Sequence, residues 1–426
     1  MSYAMERMRA AGADIGDYVE IKRKDGVFKG ILMPHHEFSA DNIVIIKLDN
    51  GYNIGVMVDE DCEIRVVERG REVRAFEDVK LAQENGAVVL ISTGGTIASY
   101  VDYRTGAVHP AVTAEQLASA LSDISADASV RPIALYSELS ENIGIEHWQR
   151  LAKVVADSLN KGAPGAVIAH GTDTMAYTGA ALSFMLGTLR GPVVLVGAQR
   201  SSDRPSSDAY TNLFSALRIA NSDLGEVVVV MHDSISDDRC AVHRAVRVRK
   251  MHTSRRDAFK SINSQPLGYV DCSTGEVMLS GNYRKKGNDR IRVRERMDER
   301  VSLIYFHPTL SPELLEYVFE HAHGVVLMGT GLGHVADRLI GVIEKGIKDG
   351  VHVVMTSQCI YGTVNMRVYS TGRNLLKAGV IPGEDMLPEV AYVKLMWALG
   401  NFEHEDVPKV MRENLVGEIG RGRGVS

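Results

Sequence analysis

The sequence of 426 residues is poor in cysteine, in tryptophan and in long apolar runs. Its cysteines are scattered, at Cys62, Cys240, Cys272 and Cys359, and no two of them form a CxxC pair. This spacing argues against a disulfide framework and against a zinc site built on cysteine, and it fits a reducing compartment. No stretch reaches about 18 uninterrupted apolar residues, the length that a membrane-spanning helix needs.

An excess of positive charge is missing as well. The formal net charge is −6 at pH 7, so no field over the whole chain attracts nucleic acid. Any contact with RNA has to be local or supplied by a partner. The first residues, MSYAMERMRAAGADIGD, carry charges where a signal peptide needs an apolar run, so we expect a cytoplasmic protein. Length predicts about two to three domains, enough to bury a large core.

The first 70 residues differ in pattern from everything that follows. Four short β-rich runs begin at Tyr18, Gly30, Ile43 and Tyr52. Asp-Gly and Asn-Gly turn signals separate them, and short strands at close spacing predict a small antiparallel β barrel or sandwich. We expect an accessory β-barrel domain over residues 1–70, followed by a charge-rich linker over residues 71–85.

From residue 86 the pattern changes to apolar strands that alternate with helical stretches. Continuous apolar runs, as buried parallel strands require, occur at 87–91, 166–169, 192–196 and 227–231. Helices are predicted between them at 113–122, 146–159, 174–188 and 208–222. The alternation predicts an α/β domain over residues 86–283, with a mostly parallel sheet covered by helices on both faces.

A second α/β unit is predicted over residues 301–426. An arginine-rich connecting segment, residues 284–300, leads into it. Its predicted strands lie at 303–306, 324–328 and 351–354, and its predicted helices at 311–322 and 335–349. Strands and helices alternate here as they do in the first unit, which again predicts a parallel sheet.

Two glycine-containing segments directly follow two of the predicted strands. The first is STGGTIA, from Ser92 to Ala98, and the second is HGTDTM, from His170 to Met175. In an open parallel sheet, ligands bind beyond the carboxyl ends of strands. Glycines let the backbone approach a ligand closely, and free N–H groups at a helix start hold anions. Each segment alone is more commonly a turn or a helix cap, but the two together are far more specific.

The order TGGTIA followed by HGTDTM resembles the two signature motifs of the L-asparaginase/glutaminase family. The resemblance extends from Ala87 to about Leu399, through GAQR at 197–200, AFKSIN at 258–263 and PLGY at 266–269. It implies an asparaginase-like body of two α/β domains. A β module in front of such a body is similar to the arrangement in the D subunits of archaeal glutamyl-tRNA(Gln) amidotransferases.

The resemblance implies a catalytic group of four residues. It makes Thr96 the nucleophile that attacks the substrate amide carbon, with Thr172, Asp173 and Lys260 as the supporting residues. A threonine hydroxyl needs a neighbouring base, and Lys260 beside Asp173 would exchange a proton with Thr172. Thr172 is the alternative nucleophile for one half-reaction. An acyl-enzyme would form, ammonia would leave, and water would release glutamate.

The resemblance also implies substrate contacts. Backbone N–H groups near Thr96 and Ala198 would hold the oxyanion, with Gly95 in the same turn. Ser137 and Glu138 stand where the family has a Ser-Gln pair that holds the carboxylate and amine of the amino acid. Glu138 would pair with the α-ammonium, a task that Asp173 also fits. Ser137 alone is equally well a loop hydroxyl.

The family's mobile-loop tyrosine has no counterpart in register. Its place falls near Ala107, with Tyr100 and Tyr103 close in sequence. The acidic and amide residues that the family takes from a neighbouring subunit also have no clean match. Such gaps are consistent with an active site that another protein completes.

The resemblance implies a glutaminase subunit that hydrolyses glutamine, or asparagine as a poorer donor. Its ammonia would pass to a partner subunit that binds tRNA and ATP and amidates the glutamate on tRNA(Gln). ATP and Mg²⁺ are expected on that partner, because the chain has no phosphate-binding motif, and a homodimeric core is expected as well. No metal site is predicted, because His232, His243 and His252 lack ligand spacing. The alternatives are a free-standing cytoplasmic L-asparaginase and a catalytically silent scaffold.

Two basic stretches, residues 239–260 and 284–300, have two interpretations. The second contains alternating arginines in the run RIRVRER from Arg290, and alternate residues of a strand share one face. These side chains either contact RNA phosphates or, as is more common, stay solvated or pair with neighbouring acidic residues.

Overall fold

The computed structural model describes residues 3–33, 40–48, 53–69, 86–94, 99–101, 108–110, 129–200, 207–280 and 282–420. Its helices are α1 (Tyr3–Ala10), α2 (Ile145–Asn160), α3 (Met175–Leu186), α4 (Ala209–Ala220), α5 (Pro312–His321), α6 (Ile340–Lys348), α7 (Ser370–Ala378), α8 (Pro388–Asn401) and α9 (Val407–Arg412). The predicted helix at 113–122 lies outside the described residues.

The strands of the N-terminal module and of the first body sheet follow each other along the chain. They are β1 (Tyr18–Arg23), β2 (Gly26–Leu32), β3 (Ile43–Lys47), β4 (Asn53–Met57), β5 (Glu63–Glu68), β6 (Val88–Gly94), β7 (Ser99–Val101), β8 (Val108–Pro110), β9 (Val130–Glu138), β10 (Ala166–Ala169), β11 (Val193–Val196), β12 (Val227–His232) and β13 (Arg239–Arg244). The remaining strands are β14 (Val248–Lys250), β15 (Phe259–Ser261), β16 (Gly268–Asp271), β17 (Val277–Leu279), β18 (Val301–Tyr305), β19 (Gly324–Gly329), β20 (His352–Ser357) and β21 (Ile381–Pro382).

The N-terminal module is an antiparallel sheet with the strand order β4-β3-β2-β1-β5. A two-residue turn, Lys24-Asp25, joins β1 to β2, since Arg23 pairs directly with Gly26. Met8 of α1 packs with Ile21 and Ile46 in the core of the module. The predicted closed barrel is corrected to an open sheet, because β4 pairs only with β3 and shares no ladder with β5 in the described residues.

The predicted mostly parallel sheet of the first body domain is confirmed. Eight strands follow the order β17-β16-β13-β12-β11-β10-β6-β9, and the five from β12 to β9 are parallel neighbours. The apolar runs of β10 and β11 are buried along their whole length, because α2 and α3 cover one face of the sheet and α4 the other.

The second body domain is a parallel sheet with the order β18-β19-β20-β21. Its helix α8 packs on α3 of the first domain, where the rings of Phe184 and Trp397 stack with centroids 5.6 Å apart. The Arg247 guanidinium, 2% exposed, pairs with Asp385 at 2.9 Å across the same boundary. The two domains therefore share one core. No helix in the described ranges is long and apolar enough to cross a membrane.

His170 and His243 are buried inside the first body domain. His170 contacts the carbonyl oxygen of Gly171 at 2.6 Å and the hydroxyl of Thr178 at 2.9 Å. His243 contacts the Ser261 hydroxyl at 2.8 Å. Burial away from water disfavours the charged ring and lowers the pKa of each histidine to about 4.

We expect the free energy of unfolding to fall as the pH is lowered from about 6.5 to about 4. An unfolded chain protonates its histidines near pH 6.5, whereas the folded chain binds those protons only near pH 4, so acid favours unfolding by roughly 3 kcal/mol for each buried histidine. Urea unfolding across this pH range measures the effect. His170→Asn should make the free energy of unfolding depend less on pH. His307→Asn, a change at an exposed ring, should not alter that dependence. Equal curves for all three proteins would contradict the assignment.

Candidate functional site

The carboxyl ends of four parallel strands meet at one edge of the first body sheet. Ala169, the last residue of β10, pairs with Ser92 of β6 on one side and with Val196 of β11 on the other. Beyond β6, Gly94 pairs with Glu138 at the end of β9. The two glycine-containing motifs, the 197–200 segment and the Ser137-Glu138 pair therefore leave the sheet at adjoining positions.

The glycines of these segments permit close contacts between the segments. Gly94 has a φ of +101°, and a Cβ there would lie 2.4 Å from the carbonyl oxygen of Glu138. A Cβ on Gly171 would lie 2.6 Å from the Cβ of Ser140. A Cβ on Gly197 would lie 2.7 Å from Cγ2 of Thr172. No side chain fits at these three positions without moving its neighbours. The absence of a Cβ atom is therefore what allows these segments to lie so close to each other.

A lysine joins the two polar side chains of the second motif. Lys250, at the end of β14, donates from Nζ to Oγ1 of Thr172 at 2.8 Å and to Oδ1 of Asp173 at 2.9 Å. The Lys250 side chain is 14% exposed, and that of Asp173 is 71% exposed. Thr172 is buried. A hydroxyl, an ammonium and a carboxylate thus form a chain that runs from the buried strand end to the surface, as proton transfer requires.

The predicted position of Lys260 beside Asp173 is wrong. Lys260 donates from Nζ to the carbonyl oxygen of Asp233 at 2.8 Å and pairs with Asp257 at 3.2 Å. The reason is the register of the β14–β15 ladder, which places Lys260 opposite Arg249 and Lys250 opposite Phe259. Successive side chains of a strand point to opposite faces, so Lys250 and Lys260 point away from each other.

The first motif contains two threonines with different surroundings. Thr93 is completely buried, and its hydroxyl donates to the carbonyl oxygen of Ala169 at 2.9 Å. That hydroxyl holds β6 to β10 and is not free for chemistry. Thr96 and Gly95 lie outside the described residues, so their predicted roles stay predictions.

The predicted substrate contacts lie at the same edge. Ser137 is exposed, Glu138 is half-buried, and Ala198 is buried. The Glu138 backbone is in contact with Gly94, two residues before Thr96. Their roles toward a substrate remain predictions.

A buried polar network, which no sequence motif indicates, fixes the backbone around Ala198. The Asp208 carboxylate accepts hydrogen bonds from the backbone N–H groups of Gln199 and Arg200, each at 3.0 Å. Asn212, one turn further along α4, donates to the carbonyl oxygen of Gly197 at 3.0 Å. The spacing of Asp208 and Asn212 on one helix face is the only sequence signal for this arrangement.

The network continues from Asn212 to the surface. Oδ1 of Asn212 contacts Nδ1 of His232 at 2.6 Å, and Nε2 of His232 contacts Oδ1 of Asp237 at 2.9 Å. The hydrogen bond from His232 lowers the pKa of Asp237. His232 is therefore a hydrogen-bonded core histidine. In the described ranges, no group of three or more His, Cys, Asp or Glu side chains is arranged to hold a metal ion.

The basic stretch 239–260 is mostly neutralised by acidic side chains. All six of its arginines form ion pairs: Arg239 with Asp233, Arg244 with Glu226, Arg247 with Asp385, Arg249 with Glu389, Arg255 with Asp257 and Arg256 with Asp237. Of the two interpretations, pairing with acidic residues therefore holds for this stretch. The side chain missed as a site residue, Lys250, also belongs to it.

Three family models match the chain. They are the N-terminal asparaginase domain at residues 87–283, the C-terminal glutaminase/asparaginase domain at 300–411 and the GatD N-terminal domain at 13–67. The ranges together include both body domains and the N-terminal module.

Curated proteins and solved structures resemble the chain over most of its length. The D subunit of the glutamyl-tRNA(Gln) amidotransferase of Pyrococcus furiosus is 50% identical, over 97% of each chain. The corresponding D subunit of Methanothermobacter thermautotrophicus is 48% identical over 98% of each chain. The thermostable L-asparaginase of Thermococcus kodakarensis superposes with a TM-score of 0.72 at 34% identity, and L-asparaginase I of Vibrio cholerae with 0.68 at 29%. Each match spans 79% of this chain and 100% of the asparaginase.

Proposed function

We propose that this chain is the glutaminase of a glutamyl-tRNA(Gln) amidotransferase, because it belongs to the family of the D subunits of these enzymes. It hydrolyses the side-chain amide of glutamine, or of asparagine as a poorer donor. The ammonia serves to convert Glu-tRNA(Gln) into Gln-tRNA(Gln). The observation that carries the proposal is the chain Thr172–Lys250–Asp173 at the carboxyl ends of parallel strands, beside the end of β6, where the TGGT segment begins.

In the proposed mechanism the Thr96 hydroxyl attacks the amide carbon. The new bond joins Thr96 Oγ1 to the acyl carbon, and the carbon–nitrogen bond then breaks. The hydroxyl proton has to reach the leaving nitrogen, which departs as ammonia. Lys250 and Thr172 share a hydrogen bond at 2.8 Å, and they pass this proton as general acid and base. Thr172 is the alternative nucleophile for one half-reaction.

Water completes the cycle by attacking the acyl-threonine. Its proton returns to Thr96 through the same residues, and glutamate is released. The backbone near Ala198 stabilises the oxyanion of both steps, a contribution of order 3 kcal/mol for each N–H donor. The Asp208–Asn212 network supports this, because it holds the backbone on both sides of Ala198 in place.

The proposal assigns the recognition of tRNA(Gln) and the binding of ATP and Mg²⁺ to a partner subunit. The names of the close relatives support such a partner, and a homodimeric core and a cytoplasmic location belong to the same proposal. The exposed side of the site, where Asp173 faces solvent, leaves room for a partner to regulate turnover.

Ammonia release tests this proposal. The purified chain is supplied with glutamine or asparagine, first alone and then with the partner subunit, Glu-tRNA(Gln), ATP and Mg²⁺. We expect slow glutamine hydrolysis by the chain alone and an increase of about tenfold or more in the complete system, a typical strength for coupled sites. Fast asparagine turnover that the partner does not change would contradict it.

That second outcome would favour a free-standing L-asparaginase. The specific observation for this alternative is the 34% identity to a thermostable L-asparaginase over the whole length of that enzyme. The N-terminal module argues against it, because residues 13–67 match a model of their own and lie outside the asparaginase match.

A further inference from the structure

A row of exposed arginines runs along the segment that connects the two body domains. Arg290, Arg292, Arg294 and Arg296, called the arginine row below, are all exposed. The apolar residues between them point inward: Ile291 is 5% exposed, Val293 is partly buried, and both pack in the large core shared by both domains. The strict alternation is that of an extended chain, whose alternate side chains share one face.

The backbone of the connecting segment is held firmly at several points. Asn160 exchanges two hydrogen bonds with the backbone of Ile291, at 2.9 and 3.0 Å. The backbone N–H of Arg294 donates to the carbonyl oxygen of Met185 at 2.9 Å, and Trp397 donates from Nε1 to the carbonyl oxygen of Arg294 at 3.0 Å. The row is therefore anchored on helices of both domains and is pre-organised, which lowers the entropy lost on binding a ligand.

The charges of the row are not neutralised by nearby acids. Across the described part of the chain, Arg290, Arg292 and Arg296 make no ion pair with an acidic side chain, and Arg294 lies over the ring of Phe402 at 5.5 Å. The acidic residues of the same segment do not pair with these arginines.

Each of those acidic residues either pairs with another side chain or lies at a position that alternates with the arginines. Glu295 pairs with Lys153 at 2.6 Å, and Asp298 pairs with His323 at 2.6 Å. Asp289 and Glu299 occupy the odd-numbered positions, out of step with the arginines. This contrasts with the 239–260 stretch, where carboxylates neutralise the arginines.

We propose that the arginine row binds the phosphate backbone of RNA, which under the proposed function is that of the tRNA. An extended chain rises about 3.3 Å per residue, so the guanidinium groups repeat at roughly 6.6 Å, a regular spacing that suits a regular polyanion. The guanidinium fork binds phosphate oxygens in pairs. Because the chain as a whole is negative, a local basic feature is what RNA contact requires.

An acidic protein is the less fitting partner. Exposed ion pairs between proteins contribute little to affinity, whereas each phosphate contact releases counterions and adds measurably to binding. The row would guide the tRNA toward the complex without reading its sequence. It lies outside the groups that carry out amide hydrolysis.

The test uses the full chain and unfractionated tRNA. Binding is measured between about 50 and 200 mM NaCl, where phosphate contacts show as a salt dependence of the association constant. The variant Arg290→Gln/Arg292→Gln/Arg296→Gln is compared with Lys345→Gln/Lys377→Gln/Arg412→Gln. The second variant is the control: it also removes three positive charges, but from exposed positions on α6, α7 and α9.

We expect the row variant to lose about tenfold or more in affinity for tRNA and to show a salt slope reduced by about 2 to 3. The control should stay within about twofold of wild type. The corresponding triple Arg→Lys variant should recover part of the affinity, because it restores the charge without the fork. Thermal melting confirms that all variants are folded.

Three results would overturn the proposal. They are an unchanged affinity and slope in the row variant, an equal loss in the control variant, and competition by polyglutamate as effective as that by tRNA. The row variant should keep its rate of ammonia release. A failure of the proposed function would appear separately, as wild-type chain that binds tRNA but releases no ammonia in the complete system.

Discussion

Replacing Lys250 by methionine is expected to lower kcat/KM for amide hydrolysis by about a thousandfold, within the range that positioned acid–base groups contribute. Lys250 Nζ is the group that links Thr172 and Asp173, at 2.8 and 2.9 Å. Methionine keeps the length and apolar stem of the side chain but can neither donate nor transfer a proton. Ammonia release from glutamine measures the effect, and KM for glutamine should change little.

Lys260→Met is the matched control for this experiment. Lys260 occupies the neighbouring strand, is 39% exposed and pairs with Asp257 and the Asp233 carbonyl. Its loss should leave kcat/KM within about threefold of wild type, as for most surface changes away from the site. A large loss in Lys260→Met together with normal turnover in Lys250→Met would restore Lys260 as the proton-transfer residue and contradict the geometry.

Replacing Thr96 by alanine is expected to lower turnover about ten-thousandfold, the size of effect seen when a covalent nucleophile is removed. The surroundings of Thr93 support this choice, since its hydroxyl is buried and bonded to the Ala169 carbonyl. Of the two threonines in the motif, Thr96 is therefore the one that we propose as the nucleophile. Mass spectrometry of the wild-type chain mixed with glutamine should also detect an acyl group, and it should be absent in Thr96→Ala.

Thr93→Val separates a structural role from a catalytic one. It should lower the free energy of unfolding by about 1 to 3 kcal/mol, because the Ala169 carbonyl oxygen loses its donor. Turnover of the folded variant should remain close to that of wild type. If Thr96→Ala retained turnover within tenfold of wild type, Thr172 would become the candidate nucleophile for both half-reactions.

The body sheets were predictable because their central strands carry continuous apolar runs. The runs at 166–169 and 192–196 coincide with β10 and β11, which are buried on both faces. The antiparallel strands β16 and β17 were not predicted, since they are only four and three residues long and partly exposed. The sequence pattern does not indicate strand β5 for a similar reason. Only Ile64 and Val66 point toward the core of the module, and most of their neighbours are charged.

The site was predictable where it depends on strand ends and not where it depends on register. The adjacent starting points of the HGTDTM and TGGT segments follow from the parallel pairing of β6 and β10. The choice between Lys250 and Lys260 depends on the pairing of two three-residue strands, β14 and β15, across an eight-residue connection. Nothing in the local sequence sets that register. The Asp208–Asn212–His232 network likewise joins residues that only the fold brings together.

The formation of Gln-tRNA(Gln) by the complex that contains Lys250→Met tests the central claim most directly. The chain and its partner subunit are supplied with Glu-tRNA(Gln), ATP, Mg²⁺ and either glutamine or ammonium chloride. We expect the variant complex to make no Gln-tRNA(Gln) from glutamine and to make it at the wild-type rate from ammonium. Normal synthesis from glutamine, or failure with both nitrogen donors in an intact complex, would contradict the role of this chain as the source of ammonia.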